Sequence, residues 1–360
     1  MEKSLYFEAV QKYFPQLVIS IVEKLNEKNQ KTLPYLYKDM LTPTYSADGR
    51  WASITANYTR VTADVVALDS ELPLKSRDAI EKVSGDIPKM GMKLYLTEKQ
   101  MKDIDTMIAL RLPENEILAK IFADTTRCIA GIQERIETIF QAELSTGVGL
   151  AIENNGLGVR IDMHYAEDHQ FAANSYAWSN ASATPISDIQ KVFDKADEDG
   201  NIITDIWMDD TALRAFYANK EAREQYAFVQ NFVGQAIPNL GFDQAKEVLQ
   251  RKFGVTLHRV NRRFKTEVNG VKSNHTAWQD GMVVFTCEEK VGKLVWTTCA
   301  EASRPVPGVT YQTAESFILV SKYSQNDPAL REFTTSQAMV IPVLDNVDKI
   351  YTLNTKQVAA

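Results

Sequence analysis

The sequence predicts a mixed α+β fold, on three observations. Residues 113–146 space their apolar side chains as a helix does, residues 54–70 and 92–98 alternate as strands do, and the C-terminal half interleaves capped helices with short strands. The composition suits a globular chain: 360 residues, 44% hydrophobic and 24% charged, enough for two or more cores. With 40 basic against 47 acidic residues the formal net charge is −7, which argues against a dedicated nucleic-acid binder. No uncharged apolar run approaches the ~20 residues that span a bilayer. The N-terminal MEKSLYFEAVQKYF carries Glu2 and Glu8 and lacks an apolar core and a small-residue cleavage site, so it does not read as a signal peptide. Three scattered cysteines (Cys128, Cys287 and Cys299) suit a reducing compartment and form no disulfide framework. Secreted, membrane, collagenous and disordered classes are set aside on these grounds.

Residues 1–50 read as an arm. Leu17, Ile21, Val22 and Leu25 make one short amphipathic helix, and the Pro- and Tyr-punctuated LPYLYKDMLTPTYSADG follows without a sustained period. Such a segment needs something to lie along. In ITANYTRVTADVVALDS, Val61, Ala63 and Val65 share one face, while Thr62, Asp64 and Val66 share the other. A polar stretch, ELPLKSRDAIEKVSGDIPKMG, separates this strand from MKLYLTE, giving a protruding hairpin over about 51–100. The helix over 113–146 buries Ile117, Leu118, Ile121, Phe122, Ile129, Ile132, Ile136, Ile139, Phe140 and Leu144. Pro113 suits its first turn, Glu114 and Glu116 complement its N-terminus, and Ser145-Thr146-Gly147 stops it. At 1.5 Å per residue one unbroken helix would be roughly 45 Å long.

Beyond it, LGVRIDMHYAED reads as a strand with Val159, Ile161, Met163 and Tyr165 on one face and Arg160, Asp162 and His164 on the other. Thr184 and Pro185 open a helix through Phe193. IITDIWM is a strand, and Asp209-Asp210 cap a helix through Tyr217. Asp243 caps FDQAKEVLQRKFG, which ends at Gly254. VTLHRVNRRF, GMVVFTC and GKLVWTTC are strands, with Asn269-Gly270 a turn and Cys287 and Cys299 on neighbouring strands as buried, inert thiols. FILVSKY, MVIPVLDN and IYTLNT close the chain.

Signatures of catalysis are absent. There is no phosphate-binding GxxxxGK[ST], no GxSxG elbow, no HExxH and no CxxC pair. DKADEDGNIITD superficially resembles a calcium loop. With Gly200 at its sixth position, however, Lys195 and Ile206 fall where a carboxylate and a bidentate Glu are required, so a helix-ending acidic turn is the better reading. Asp162, His164 and His169 are the one His/Asp cluster, a candidate metal site weighed against a polar strand edge. Arg259, Arg262, Arg263 and Lys265 alternate on one strand; a solvated or intersubunit face suits the acidic whole better than a nucleic-acid contact. An arm and a hairpin that cannot stabilise themselves need a partner, and the simplest partner is another copy of the chain.

The order of these features resembles the phage major capsid protein E family, the lambda-like branch of the HK97-like capsid fold, nearly end to end. VTADVVALDSELPLKSRDAIEKVSGDIPKMGMKLYLTEKQ resembles that family's E-loop, and TTRCIAGIQERIETIFQAELSTGVGLAIENNGLGVRIDMHYAEDH its spine helix and following strand. NSYAWSNASATPISDIQKVFD is similar to the segment leading into its axial domain, and YSQNDPALREFTTSQAMVIPVLDNVDKIYTLNT to its closing segment. The resemblance implies an N-terminal arm (1–50) and an E-loop hairpin (51–100). It further implies a peripheral domain (101–183 plus 331–360) carrying the spine helix at 113–146, and an α/β axial domain (184–330).

It also implies a non-enzymatic major capsid protein of a tailed phage or prophage, without cofactor, whose hexamers and pentamers close into an icosahedral shell around double-stranded DNA. Expected partners are copies of itself, a separate scaffold or protease, a portal and a decoration protein, with no membrane and no sequence-specific nucleic acid. The expected location is the virion, after assembly in the host cytoplasm. Lys75, Arg77, Asp78, Glu81 and Lys82 of the E-loop are the candidate intersubunit contacts, and no covalent crosslink between subunits is expected. The alternatives are an encapsulin-like cellular shell and a metal-dependent hydrolase using Asp162, His164 and His169.

Overall fold

A computed structural model describes residues 1–27, 34–56, 80–152, 158–229, 239–268, 271–327 and 329–359. The chain opens with helix α1 (Phe7–Asn26), the short α2 (Leu36–Met40) and strand β1 (Leu41–Tyr45). A ribbon of β2 (Arg50–Ala56) and β3 (Ile80–Asp86) follows, then β4 (Lys89–Leu96), α3 (Glu98–Ala109), α4 (Glu114–Ile121) and α5 (Ala123–Thr146). Strands β5 (Val148–Ile152), β6 (Gly158–Asp162) and β7 (Gln170–Ala173) lead to α6 (Pro185–Asp199), β8 (Asp205–Asp209), α7 (Asp210–Ala218), α8 (Lys220–Val229) and α9 (Phe242–Phe253). The remainder is β9 (Thr256–Val260), β10 (Phe264–Val268), β11 (Val271–His275), β12 (Met282–Thr286), β13 (Gly292–Thr297), α10 (Ala300–Ser303), β14 (Thr310–Ala314), β15 (Ile318–Gln325), β16 (Arg331–Leu344) and β17 (Ile350–Val358).

Two sheets organise two cores. The larger runs β1-β13-β16-β15-β14, with β4 also on β16. Strand β16 is its spine, pairing with β15 over 331–337, with β4 over 332–339 and with β13 over 339–344. Helix α5 lies on this sheet, and Ile129, Ile132, Ile136, Ile139, Phe140 and Leu144 join Val320, Ala338, Val340 and Ile341 in one core. The second sheet runs β7-β17-β12-β8-β9. Its core takes Ile186, Ile189 and Val192 from α6, Leu213 and Phe216 from α7, and Val248 and Leu249 from α9. Strands 292–297 and 310–325, which the sequence reading grouped with 184–330, therefore lie in the α5 sheet, while the C-terminal β17 crosses into the other.

Local signals were mostly well placed. Asp209 caps α7, its carboxylate accepting from the Ala212 N–H at 2.9 Å. Gly147, Gly200 and Gly254 stop α5, α6 and α9 at φ of +74°, +73° and +76°, where a Cβ would be strained. Because α6 continues to Asp199, the acidic DKADED is its last turns and Gly200 its stop, and Lys195 bonds Asp168 at 2.8 Å and Asp199 at 2.9 Å. No calcium loop forms there.

Several expectations are corrected. Helix α1 is longer than the Leu17–Leu25 segment: its buried stripe is Val10, Phe14, Val18 and Ile21, packed toward α5 and β14, so this part of the arm lies on its own domain. The single helix over 113–146 is two, broken at Phe122. The apolar period runs through the break, whose cause is remote: the Lys322 ammonium donates to the Ile121 carbonyl at 3.0 Å, and the Thr125 N–H turns to the Phe122 carbonyl at 3.0 Å. The N-cap of α9 is Gly241, with Gln244 reaching back to its N–H at 3.0 Å; Asp243 sits in the first turn. VTLHRVNRRF is split between β9 and β10, which belong to different sheets, as do β12 and β13 beside Cys287 and Cys299. The Asn269-Gly270 turn lies outside the described residues.

Candidate functional site

The described part of the hairpin is its root. β2 pairs antiparallel with β3 from Arg50 opposite Asp86 to Ala56 opposite Ile80, whereas MKLYLTE, expected as the second hairpin strand, instead joins the main sheet as β4. Pro88, which donates no backbone hydrogen bond, separates β3 from β4. The root is pinned by buried groups. Trp51 is covered by Gly85, where a Cβ would lie 2.9 Å from the indole nitrogen, and Ser53 donates to the Leu344 carbonyl at 2.6 Å. Ile87 is buried, and its N–H meets the Gly49 carbonyl at 2.9 Å. Of the candidate contacts, Glu81 and Lys82 lie on β3 opposite Thr55 and Ile54. Lys75, Arg77 and Asp78 lie outside the described residues.

The Asp/His cluster does not assemble. β6 ends at Asp162, and His164 takes a left-handed φ of +49°, so the two leave the shared strand face expected of them. Asp162 accepts from the His164 N–H at 3.1 Å and from Arg160 at 3.3 Å. His169 is buried elsewhere, its Nε2 3.2 Å from Asp199 and its ring stacked on Tyr351 at 4.2 Å. Among the described residues no group of three His, Cys, Asp or Glu could hold a metal ion.

Two members of the basic run, Arg259 and Arg262, are committed to the protein, while Arg263 and Lys265 are exposed. Arg259 bonds Asp210 at 2.6 Å, and Arg262 bonds Glu134 of α5 at 2.5 Å while its guanidinium lies 4.1 Å from the Tyr35 ring centre. Arg262 thus joins α5 to the segment before α2, a contact with no local sequence signal. Burial pushes the Cys128 and Cys287 thiols each up to about 12, which leaves little thiolate near neutrality. Among the described residues no helix is long and apolar enough to cross a membrane.

Among the described residues no metal-ligand cluster forms, and the fold is a body of two sheets and packed helices that carries the β2–β3 ribbon. Among solved structures the chain resembles a candidate capsid protein of an Escherichia coli CFT073 prophage, at TM-score 0.59 and 14% identity, covering 94% of this chain and 98% of that one. It also resembles a phage-related protein of Bordetella bronchiseptica RB50, at TM-score 0.52 and 13% identity, covering 94% and 96%. The fold is HK97-like, that of shell-forming capsid proteins. The sequence model of the family described as phage major capsid protein E matches residues 52–353. The chain belongs to that family, as its resemblance suggested, and is a capsid shell protein. No curated protein gives a significant sequence match.

Proposed function

We propose that this chain is the major capsid protein of a tailed phage or prophage, and that its hexamers and pentamers close into an icosahedral shell around packaged double-stranded DNA. The observation that carries this reading is the family match over 52–353, which takes in most of the ribbon, the long helix and both sheets apart from β1 and the end of β17. In this reading the α5 sheet is the core of a peripheral domain, and the β7-β17-β12-β8-β9 sheet with its helices is the core of an axial domain at capsomer centres. A shell needs many modest interfaces, each weak enough to reverse while errors are corrected. A charged E-loop serves that need. Lys75, Arg77, Asp78, Glu81 and Lys82 meet opposite charges on a neighbouring subunit, and the pinned root transmits the pull to the core.

Separate scaffold, protease, portal and decoration proteins, and assembly in the host cytoplasm, complete the proposal. A structural role without catalysis fits the scattered His and Asp residues. Charge reversal tests the contact surface: Lys75→Glu, Arg77→Glu and Lys82→Glu together leave the thermal transition of the subunit in place and reduce the assembled fraction in sedimentation. Shells formed in undiminished yield would overturn the assignment of these residues.

A further inference from the structure

Residues 2–5 occupy a built seat on the main sheet. Glu2 and Ser324 exchange backbone hydrogen bonds, the Glu2 N–H donating at 2.9 Å and the Ser324 N–H at 3.1 Å. The Ser324 hydroxyl donates to the Lys3 carbonyl at 2.6 Å. The Ser4 hydroxyl donates to one oxygen of Glu332 at 2.5 Å, and the Leu5 N–H to the other at 2.9 Å. Glu332 is 1% exposed and Ser4 4%, so this carboxylate has few alternative donors.

The seat connects to the break in the long helix. Ser324 lies opposite Glu332, and Lys322 is two residues further along β15, on the same sheet face. Lys322 is wholly buried. Its ammonium donates to the Ile121 carbonyl at 3.0 Å and to the Thr334 hydroxyl at 2.9 Å, 5.3 Å from the centre of the Phe122 ring. Burial works against both charges, raising the Glu332 carboxyl and lowering the Lys322 amine, and each is offset by the other's charge.

We propose that residues 2–5 are a latch, and that its docking is transmitted through Glu332 and Lys322 to the α4–α5 break. Lifting the latch removes two donors from a buried carboxylate. That carboxylate then takes a proton or draws the Lys322 ammonium toward itself. Either change weakens the grip on Ile121, whose carbonyl is one of the orphan acceptors at the end of α4. Phe14 of α1, stacked on Phe122 at 6.0 Å, still holds the break from the other side, so the response is loosening of α4 rather than loss of the fold. The device acts within one chain and does not depend on shell formation.

Hydrogen exchange with mass spectrometry on the full chain tests it. In Ser4→Ala, amides of residues 114–122 should exchange about tenfold faster, the size of one lost charge-assisted hydrogen bond. Glu332→Gln should do the same, and the double variant should add little more, as members of one chain of contacts do. Acceleration confined to residues 1–6 and 331–333, with α4 unchanged in both variants, would overturn the proposal.

Discussion

Glu143 lies near the end of α5. It is fully buried, and neither carboxylate oxygen has a hydrogen-bond partner among the described residues. The chain closes tightly over it: a Cβ on Gly149 would lie 2.4 Å from Oε1. The neighbouring Tyr165 hydroxyl does not serve it, being committed to the Glu143 and Leu144 backbone carbonyls at 3.2 Å each. Burial alone holds this carboxyl well above the usual range. The folded chain therefore keeps a proton that the unfolded chain gives up above about pH 4.3. The contribution of Glu143 is most favourable below that pH and is lost as pH rises toward the folded value.

Near neutrality, Glu143→Met removes both the proton uptake and the unpaired oxygens while roughly keeping shape. It should stabilise the chain by about 1–3 kcal/mol. Glu143→Gln keeps the polar burden but cannot ionise, so it should flatten part of the pH slope. The other carboxyls raised by burial, Glu137, Asp188, Asp209, Glu332 and Asp348, retain the rest. Urea denaturation of the three proteins at acid and neutral pH reads both effects. A destabilised Met variant at neutral pH, or a Gln variant with the full wild-type slope, would refute the reasoning.

Gly292→Ala places a Cβ 2.2 Å from the Val343 carbonyl oxygen, at the β13–β16 pairing, where only backbone movement relieves it; a loss of about 1–3 kcal/mol or more should appear in the urea midpoint. Trp178→Phe removes the indole bond to Asp188, 2.8 Å long, while the Asn174 N–H remains on the other carboxylate oxygen; about 1–3 kcal/mol is expected in the same assay. The His164 side chain is 63% exposed, so His164→Ala should change stability by less than about 0.5 kcal/mol. Elemental analysis should find no divalent metal in step with the chain, and a stoichiometric ion lost in His164→Ala would restore the hydrolase reading.

What the sequence made legible was what short-range chemistry dictates. The left-handed glycines after α5, α6 and α9, the Asp209 cap and the apolar stripe of α5 are all local. The break at Phe122 was not, because it depends on a lysine that arrives from β15 some 200 residues later. The pairing of β2 with β3 rather than β4 was missed for a similar reason: MKLYLTE alternates equally well against either partner, and β16 takes it. The stripe Val10, Phe14, Val18, Ile21 was readable at spacings of four and three, and would have placed α1 on the core. For the candidate site, the sequence suggested both the charged hairpin and the Asp/His cluster. The second is set aside only in three dimensions, where His164 leaves the strand face and His169 is buried against Asp199 and Tyr351. The family resemblance rested on the order of segments, information that no single motif holds.

The central claim is that this chain builds a shell. Its most direct test is size-exclusion chromatography with light scattering on the purified chain, followed by negative-stain imaging of the high-mass fractions and limited proteolysis of any monomer. The account predicts rings of five or six copies or closed shells, and, in any monomer, cleavage within 70–79 while the two sheets survive. A compact monomer at every concentration, with 70–79 as protease-resistant as the core, would contradict it.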